Sequence, residues 1–172
     1  MFLPPGFDRA IAVEAAALVT QAYDQYDKFT QGTSWSLQGN YDTLGVLSAK
    51  PEGPLSRVEP FGFVGRNRTS GNVFVTFRGT KSVEDWLSNL SFPQVAHPWG
   101  HAEKGFSDLY AQCAAATKAA VQQAPAGSGV FVTGHSLGGA LAPASTISRA
   151  PASGTRASPP SSTLAWRAAG GS

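Results

Sequence analysis

The residues with the clearest potential for chemistry are Gly134-His135-Ser136-Leu137-Gly138-Gly139. They follow Gly129-Val130-Phe131-Val132-Thr133, a short apolar run of strand character. A serine flanked by glycines two residues before and two after, at the end of such a strand, fits a sharp turn into a helix. Side chains at the two flanking positions would collide, so both are glycine. The turn lifts the serine hydroxyl clear of the sheet. It also aims the first free N–H groups of the helix at an oxygen that becomes negative during attack. Gly139 and Ala140 are small, as close packing of that helix requires. The chemistry would be nucleophilic attack by Ser136 on an acyl carbon.

Such a serine needs a base within hydrogen-bond reach, and the base needs a carboxylate to hold its tautomer. His135 is adjacent, but consecutive side chains on a tight turn point in different directions, which argues against it as the base. His97 and His101 fall in a stretch with Pro98 and Gly100 and read as a solvated loop. No Asp or Glu occurs after Asp108, and no His after His135. Cys113, the single cysteine, reads as a small core residue on an Ala-rich helix. No cluster has metal-ligand spacing, so no metal and no cofactor are expected.

Several elements must position Ser136. Asp8 is a helix cap, and Ile11, Ala15, Leu18, Ala22 and Tyr26 recur at helical spacing, which predicts an amphipathic helix over 8–27. From Thr30 to Pro60 the chain is rich in Gly, Ser and Pro and reads mostly as loop, with a short strand near Gly45-Val46-Leu47. Phe61–Val64 and Val73–Phe77 flank a polar 66–71 stretch, a hairpin signal. Leu109, Tyr110, Cys113, Ala120 and Val121 predict a second helix from Phe106 to near Gln123, stopped by Pro125 and Gly127. The apolar run before Ser136 then reads as a strand buried on both faces. A helix between strands implies an α/β architecture with some parallel pairing.

Four motifs follow one another along the chain. Phe77-Arg78-Gly79-Thr80 ends the second hairpin strand. Ser82-Val83-Glu84-Asp85-Trp86-Leu87-Ser88-Asn89-Leu90 follows, then Lys104-Gly105-Phe106-Ser107-Asp108-Leu109-Tyr110, then Val132-Thr133-Gly134-His135-Ser136-Leu137-Gly138-Gly139-Ala140-Leu141-Ala142. In this order and spacing, over about residues 8–142, the chain resembles the class 3 (fungal-type) triacylglycerol lipases of the α/β-hydrolase superfamily. Ala22-Tyr23 on the first helix is similar to bacterial members. The resemblance implies that Ser136 is the nucleophile and that the N–H of Leu137 is one oxyanion donor. It makes Thr80 the other donor, through its N–H and hydroxyl. Loss of one such donor typically costs roughly 2.7–4 kcal/mol of transition-state stabilisation. Residues 82–90 correspond to the family's lid, with Trp86 facing lipid or packing a short helix. Arg78 is expected to anchor the oxyanion loop rather than to bind substrate. Glu103 stands where the family often has histidine, a departure that bears on local packing.

Triads on this fold run in chain order serine, acid, histidine, and residues 137–172 hold neither of the last two types. From Pro143 onward, Ala, Ser, Pro, Arg, Gly and Thr dominate, and only Ile147, Leu164 and Trp166 are large and apolar. Pro143 would interrupt the helix after the elbow at a cost of roughly 3 kcal/mol. The expected organisation is therefore a lipase-like part over 1–142 and a low-complexity, disordered tail over 143–172, of the kind a shifted reading frame would produce. The expected fold is an incomplete α/β-hydrolase sheet flanked by helices. Val130, Val132 and Leu141 are then partly exposed on an open sheet edge that invites self-association.

The 172 residues suffice for one domain. A net charge of +2 does not point to nucleic acid. Met1–Pro5 has no basic region and Glu14 interrupts the first apolar stretch, so neither leader nor membrane span is predicted and a cytoplasmic place is the default. The implied activity is hydrolysis of carboxylic esters, acylglycerols foremost, with water as co-substrate and weak or no turnover by this chain alone. The alternative is a non-catalytic lipase-like chain that binds lipid or another protein. A third reading, a thioesterase or phospholipase, shares the elbow, but the Phe77–Thr80 motif and Trp86 favour the lipase.

Overall fold

A computed structural model describes residues 8–51, 57–79, 94–97, 100–136 and 138–139. The first helix, α1 (Arg9–Thr30), starts where Asp8 accepts hydrogen bonds from the N–H groups of Ala10 and Ile11 through its side chain. It runs three residues beyond the sequence expectation and ends at Gln31-Gly32, where Gly32 has φ +68°. Ala15, Leu18 and Ala22 form its buried face, at the spacing read from the sequence.

Five described strands precede the elbow strand. They are β1 (Tyr41–Ala49), β2 (Glu59–Asn67), β3 (Val73–Phe77), β4 (Gln94–His97) and β5 (Gly100–Glu103). Helix α2 (Lys104–Val121) and strand β6 (Val130–Gly134) follow. The main sheet has the order β1-β2-β3-β6. The first two pairings are antiparallel, and β6 runs parallel to β3 with Val73 opposite Val130 and Phe77 opposite Gly134. A β-strand, a crossover helix and a second parallel strand form the unit that carries the elbow, as the sequence implied.

Two expectations need correcting. The stretch read as loop with a short strand near Gly45 holds the nine-residue β1. Its register slips twice against β2, once between Thr43 and Gly45 and once between Leu47 and Ser48. The first leaves Leu44 of β1 unpaired and breaks the alternation of apolar and polar positions by which a strand is recognised, and the second leaves Phe61 of β2 unpaired. The second slip also places Phe61 and Phe63, two residues apart, in cores on opposite faces of the sheet. The segment with His97 and His101, read as a solvated loop, contains β4 and β5 paired as an antiparallel ribbon. Four-residue strands are too short to show a periodic pattern.

The sheet lies between two helices. On one face Leu47, Phe61, Val64, Val73, Val75 and Phe77 meet Leu109, Cys113 and Ala120 of α2. On the other, Phe63 and Phe74 meet Ala15, Leu18 and Ala22 of α1, with Trp35, Tyr41 and Phe131 at the margin. All five residues of β3 are buried, which is what a continuous apolar run between two other strands should give. Strand β6 was expected to be buried on both faces, yet all five of its residues are half-buried. Among the described residues it has a paired neighbour on one side only. The companion expectation, that Val130 and Val132 remain partly exposed, is what the structure shows. The lid segment, the expected tail after Pro143, Leu141, Trp86, Thr80 and Leu137 lie outside the described residues.

Candidate active site

Ser136 stands at the C-terminal end of β6. It is the one described non-glycine residue with a positive φ, +52°. For an L-residue this left-handed conformation costs roughly 1–2 kcal/mol, and it persists because the surroundings leave little alternative. A Cβ on Gly134 would fall 2.3 Å from the carbonyl carbon and oxygen of Gly138. A Cβ on Gly138 would fall 2.6 Å from the carbonyl oxygen of Phe77 and 2.7 Å from that of Arg78. The flanking glycines are thus required by backbone-to-backbone approach, as the motif implied. The turn is closed by Gly138 N–H donating to His135 O at 2.9 Å and Gly139 N–H donating to Ser136 O at 2.9 Å. Gly138 and Gly139 adopt helical backbone, and Ser136 is exposed. A strained, accessible serine between a parallel strand and a helical turn is the geometry of a nucleophile elbow.

Phe77-Arg78-Gly79 brings a second segment to the same place. Arg78 is 1 % exposed. Its Nε donates to Pro60 O at 2.8 Å, its Nη1 to Gly79 O at 2.8 Å, and its Nη2 to Glu59 Oε1. The guanidinium also faces the rings of Tyr26 and Phe61. Its roles are therefore internal, and one of them fixes the carbonyl of the residue preceding Thr80. A Cβ on Gly79 would lie 2.8 Å from His135 O and 3.1 Å from the Cβ of Ser136, so the loop and the elbow are in direct contact.

Sequence reasoning missed a third participant. Tyr23 Oη accepts the N–H of Gly79 at 3.1 Å and lies 2.9 Å from His135 Nδ1. Its helical phase beside Ala22 places it on the sheet side of α1, but nothing local indicates a partner 112 positions away. His135 is thus turned toward Tyr23 and α1, consistent with its dismissal as the base. For His97 and His101 only the backbone pairing is described. Cys113 is the core residue expected, 1 % exposed, and burial pushes its thiol up to about 11. Among the described residues no group of His, Cys, Asp and Glu could hold a metal ion.

The helix–sheet–helix layering and the strand–serine–helix turn are those of an α/β-hydrolase. A family model for lipase (class 3) matches residues 74–159, half of the chain. The chain belongs to the class 3 lipase family. The match begins in β3 and reaches past Ala142, where the motif resemblance ends. The chain is 36% identical over 86 residues to a lipase of Rhizomucor miehei, covering 46% of this chain and 23% of that protein. It is 36% identical over 88 residues to secreted mono- and diacylglycerol lipase 1 of Fusarium solani, covering 46% and 26%. The solved lipase of Rhizopus microsporus var. chinensis superimposes with a TM-score of 0.63 at 24% identity, over 83% of this chain and 52% of that one. The chain thus spans about a quarter of the length of the curated relatives it matches and about half of the solved lipase.

Proposed function

We propose that the chain carries the nucleophile of an enzyme that hydrolyses carboxylic esters, acylglycerols foremost. The observation that carries this reading is Ser136 itself, held at φ +52° between Gly134 and Gly138 at the end of β6. Its Oγ forms a bond to the acyl carbon, the alcohol departs with a proton, and water then cleaves the acyl-serine. Family membership supports acylglycerols as the acyl donors, as do the names of the Rhizomucor and Fusarium relatives.

The oxyanion is assigned to the N–H of Leu137 and to Thr80 through its N–H and hydroxyl. Gly79 N–H is already bonded to Tyr23, so a donor from this loop has to come from a neighbour. Trp86, in the lid-like 82–90 segment, is assigned to contact with substrate at a lipid–water interface, where an aromatic ring with one polar atom is well suited. Pairing of two chains through the outer side of β6 completes the reading, supported by the partial exposure of all five of its residues.

Residues 137–172 contain neither carboxylate nor imidazole. The chain by itself is therefore expected to turn over esters weakly, since no group among them can take the proton of Ser136 as it attacks. The test is hydrolysis of short- and long-chain chromogenic esters by the purified chain with Ser136→Ala alongside. Turnover that disappears in Ser136→Ala supports the reading. Turnover equal in both proteins sinks it.

A further inference from the structure

Two chain segments converge on Ser136, and the Tyr23 hydroxyl touches both. One is the end of β3 through Gly79, the other is the turn after β6 through His135. A phenol has one proton, and an amide N–H can only donate. The hydroxyl accepts from Gly79, and both contacts are served when its own proton goes to His135 Nδ1. That assignment leaves the ring proton of His135 on Nε2, which makes the ring a donor on its far side. The two rings meet edge to face, 6.0 Å between centroids. The space that a Cβ of Gly79 would occupy is bounded by Tyr23 Oη at 2.6 Å, His135 O at 2.8 Å and Ser136 Cβ at 3.1 Å. One hydroxyl on α1 thus ties together the loop that leads to Thr80 and the residue that precedes the nucleophile.

We propose that the Tyr23 hydroxyl is a positioning group for acyl transfer at Ser136, setting the distance between the oxyanion loop and the elbow and the tautomer of His135. The proposal rests on the ester-hydrolase reading above. Phenylalanine would fill the same volume, yet it would leave the Gly79 N–H and His135 Nδ1 without this partner. Displacements of about an ångström around reacting atoms can cost roughly a hundredfold in rate, so a single hydrogen-bonding atom suffices to matter.

The experiment compares wild type, Tyr23→Phe, His135→Asn, His135→Leu, the Tyr23→Phe/His135→Leu double variant and Ser136→Ala. The two readouts are turnover of a short-chain p-nitrophenyl ester and ring 15N NMR of His135 at about pH 8, above the ordinary histidine range. Tyr23→Phe should lower kcat between about tenfold and a hundredfold with KM within about twofold. His135→Asn, whose side-chain oxygen can accept from Tyr23, should fall less than His135→Leu. The double variant should be no worse than either single loss, because one contact is removed twice. The spectrum should show the Nε2–H tautomer in wild type and a mixture in Tyr23→Phe. An unchanged kcat in Tyr23→Phe, or an Nδ1–H tautomer in wild type, overturns the proposal. Should Tyr23→Phe not fold, the His135→Asn and His135→Leu pair decides, and equal kcat in those two overturns it. Turnover that survives Ser136→Ala removes the ester-hydrolase reading instead. The tautomer then still decides whether Tyr23 holds His135.

Discussion

The guanidinium of Arg78 lies 3.9 Å from the centroid of the Tyr26 ring, with the Phe61 centroid 4.4 Å away. A buried cation is tolerated here because every direction is answered. Two carbonyls and Glu59 take its in-plane donors, and two aromatic rings face the cation. The arrangement joins α1, β2 and the end of β3 immediately before the loop that meets Ser136.

Arg78→Leu should therefore destabilise the chain by about 3–5 kcal/mol, since it strands Glu59 and two carbonyls. Arg78→Lys should also fall below wild type, because one ammonium cannot serve three acceptors set around a planar fork. Urea unfolding checks both. An Arg78→Leu midpoint equal to that of wild type would show the cluster to be energetically idle.

Ser136 stores backbone strain that glycine would not feel. Ser136→Gly should be more stable than Ser136→Ala by about 1 kcal/mol, because at φ +52° alanine keeps the steric penalty of a Cβ and glycine does not. Both variants lack the hydroxyl, so the comparison isolates conformation from chemistry. Equal unfolding free energies would mean that the turn relaxes once the serine is gone.

Alkaline stability should depend on Cys113. Burial raises its thiol to about 11 from an ordinary value of 9.0. Between these values the unfolded chain ionises while the folded one stays protonated, so folding weakens as pH rises from about 9 to about 11. The loss amounts to about 2–3 kcal/mol at most, and Cys113→Ala should remove that limb. Tyr41, raised to about 12 chiefly by burial and then by its hydrogen bond to Glu14, adds a further decline above about pH 10. Urea midpoints measured from pH 8 to 11 test this. A flat wild-type profile contradicts it.

On the acid side the group to watch is Asp42, whose carboxylate accepts from Arg66 and Arg68 at 2.7 Å each. Arg66 first, then Arg68, holds it below the usual carboxylate range. Its contribution is therefore present at neutral pH and is lost as pH falls through its lowered value. Asp42→Asn should be less stable than wild type near pH 6, and the gap should close in acid and shrink with added salt. A gap that persists at the acid limit would point to shape rather than charge.

Much of this architecture is legible because its causes are local. Asp8 and the Ile11–Tyr26 spacing announce α1, the apolar runs around 66–71 announce the hairpin, and Gly134-His135-Ser136-Leu137-Gly138 announces a strained turn through the residues it cannot accommodate. Strand β1 is obscured because the slip at Leu44 scrambles the alternation on which recognition depends. The four-residue β4 and β5 are too short to carry a pattern.

The sequence by itself determined which residue is the candidate nucleophile and that an α/β unit presents it, since an elbow is specified within a few residues by steric exclusion. Only the tertiary structure decided what holds that serine in place. Tyr23 meets His135 across 112 positions, and Arg78 at the end of β3 meets Tyr26 of α1 and Phe61 and Glu59 of β2. Such contacts depend on how helices and strands are stacked, and no local spacing encodes a hydrogen bond whose partners become neighbours only when the layers close.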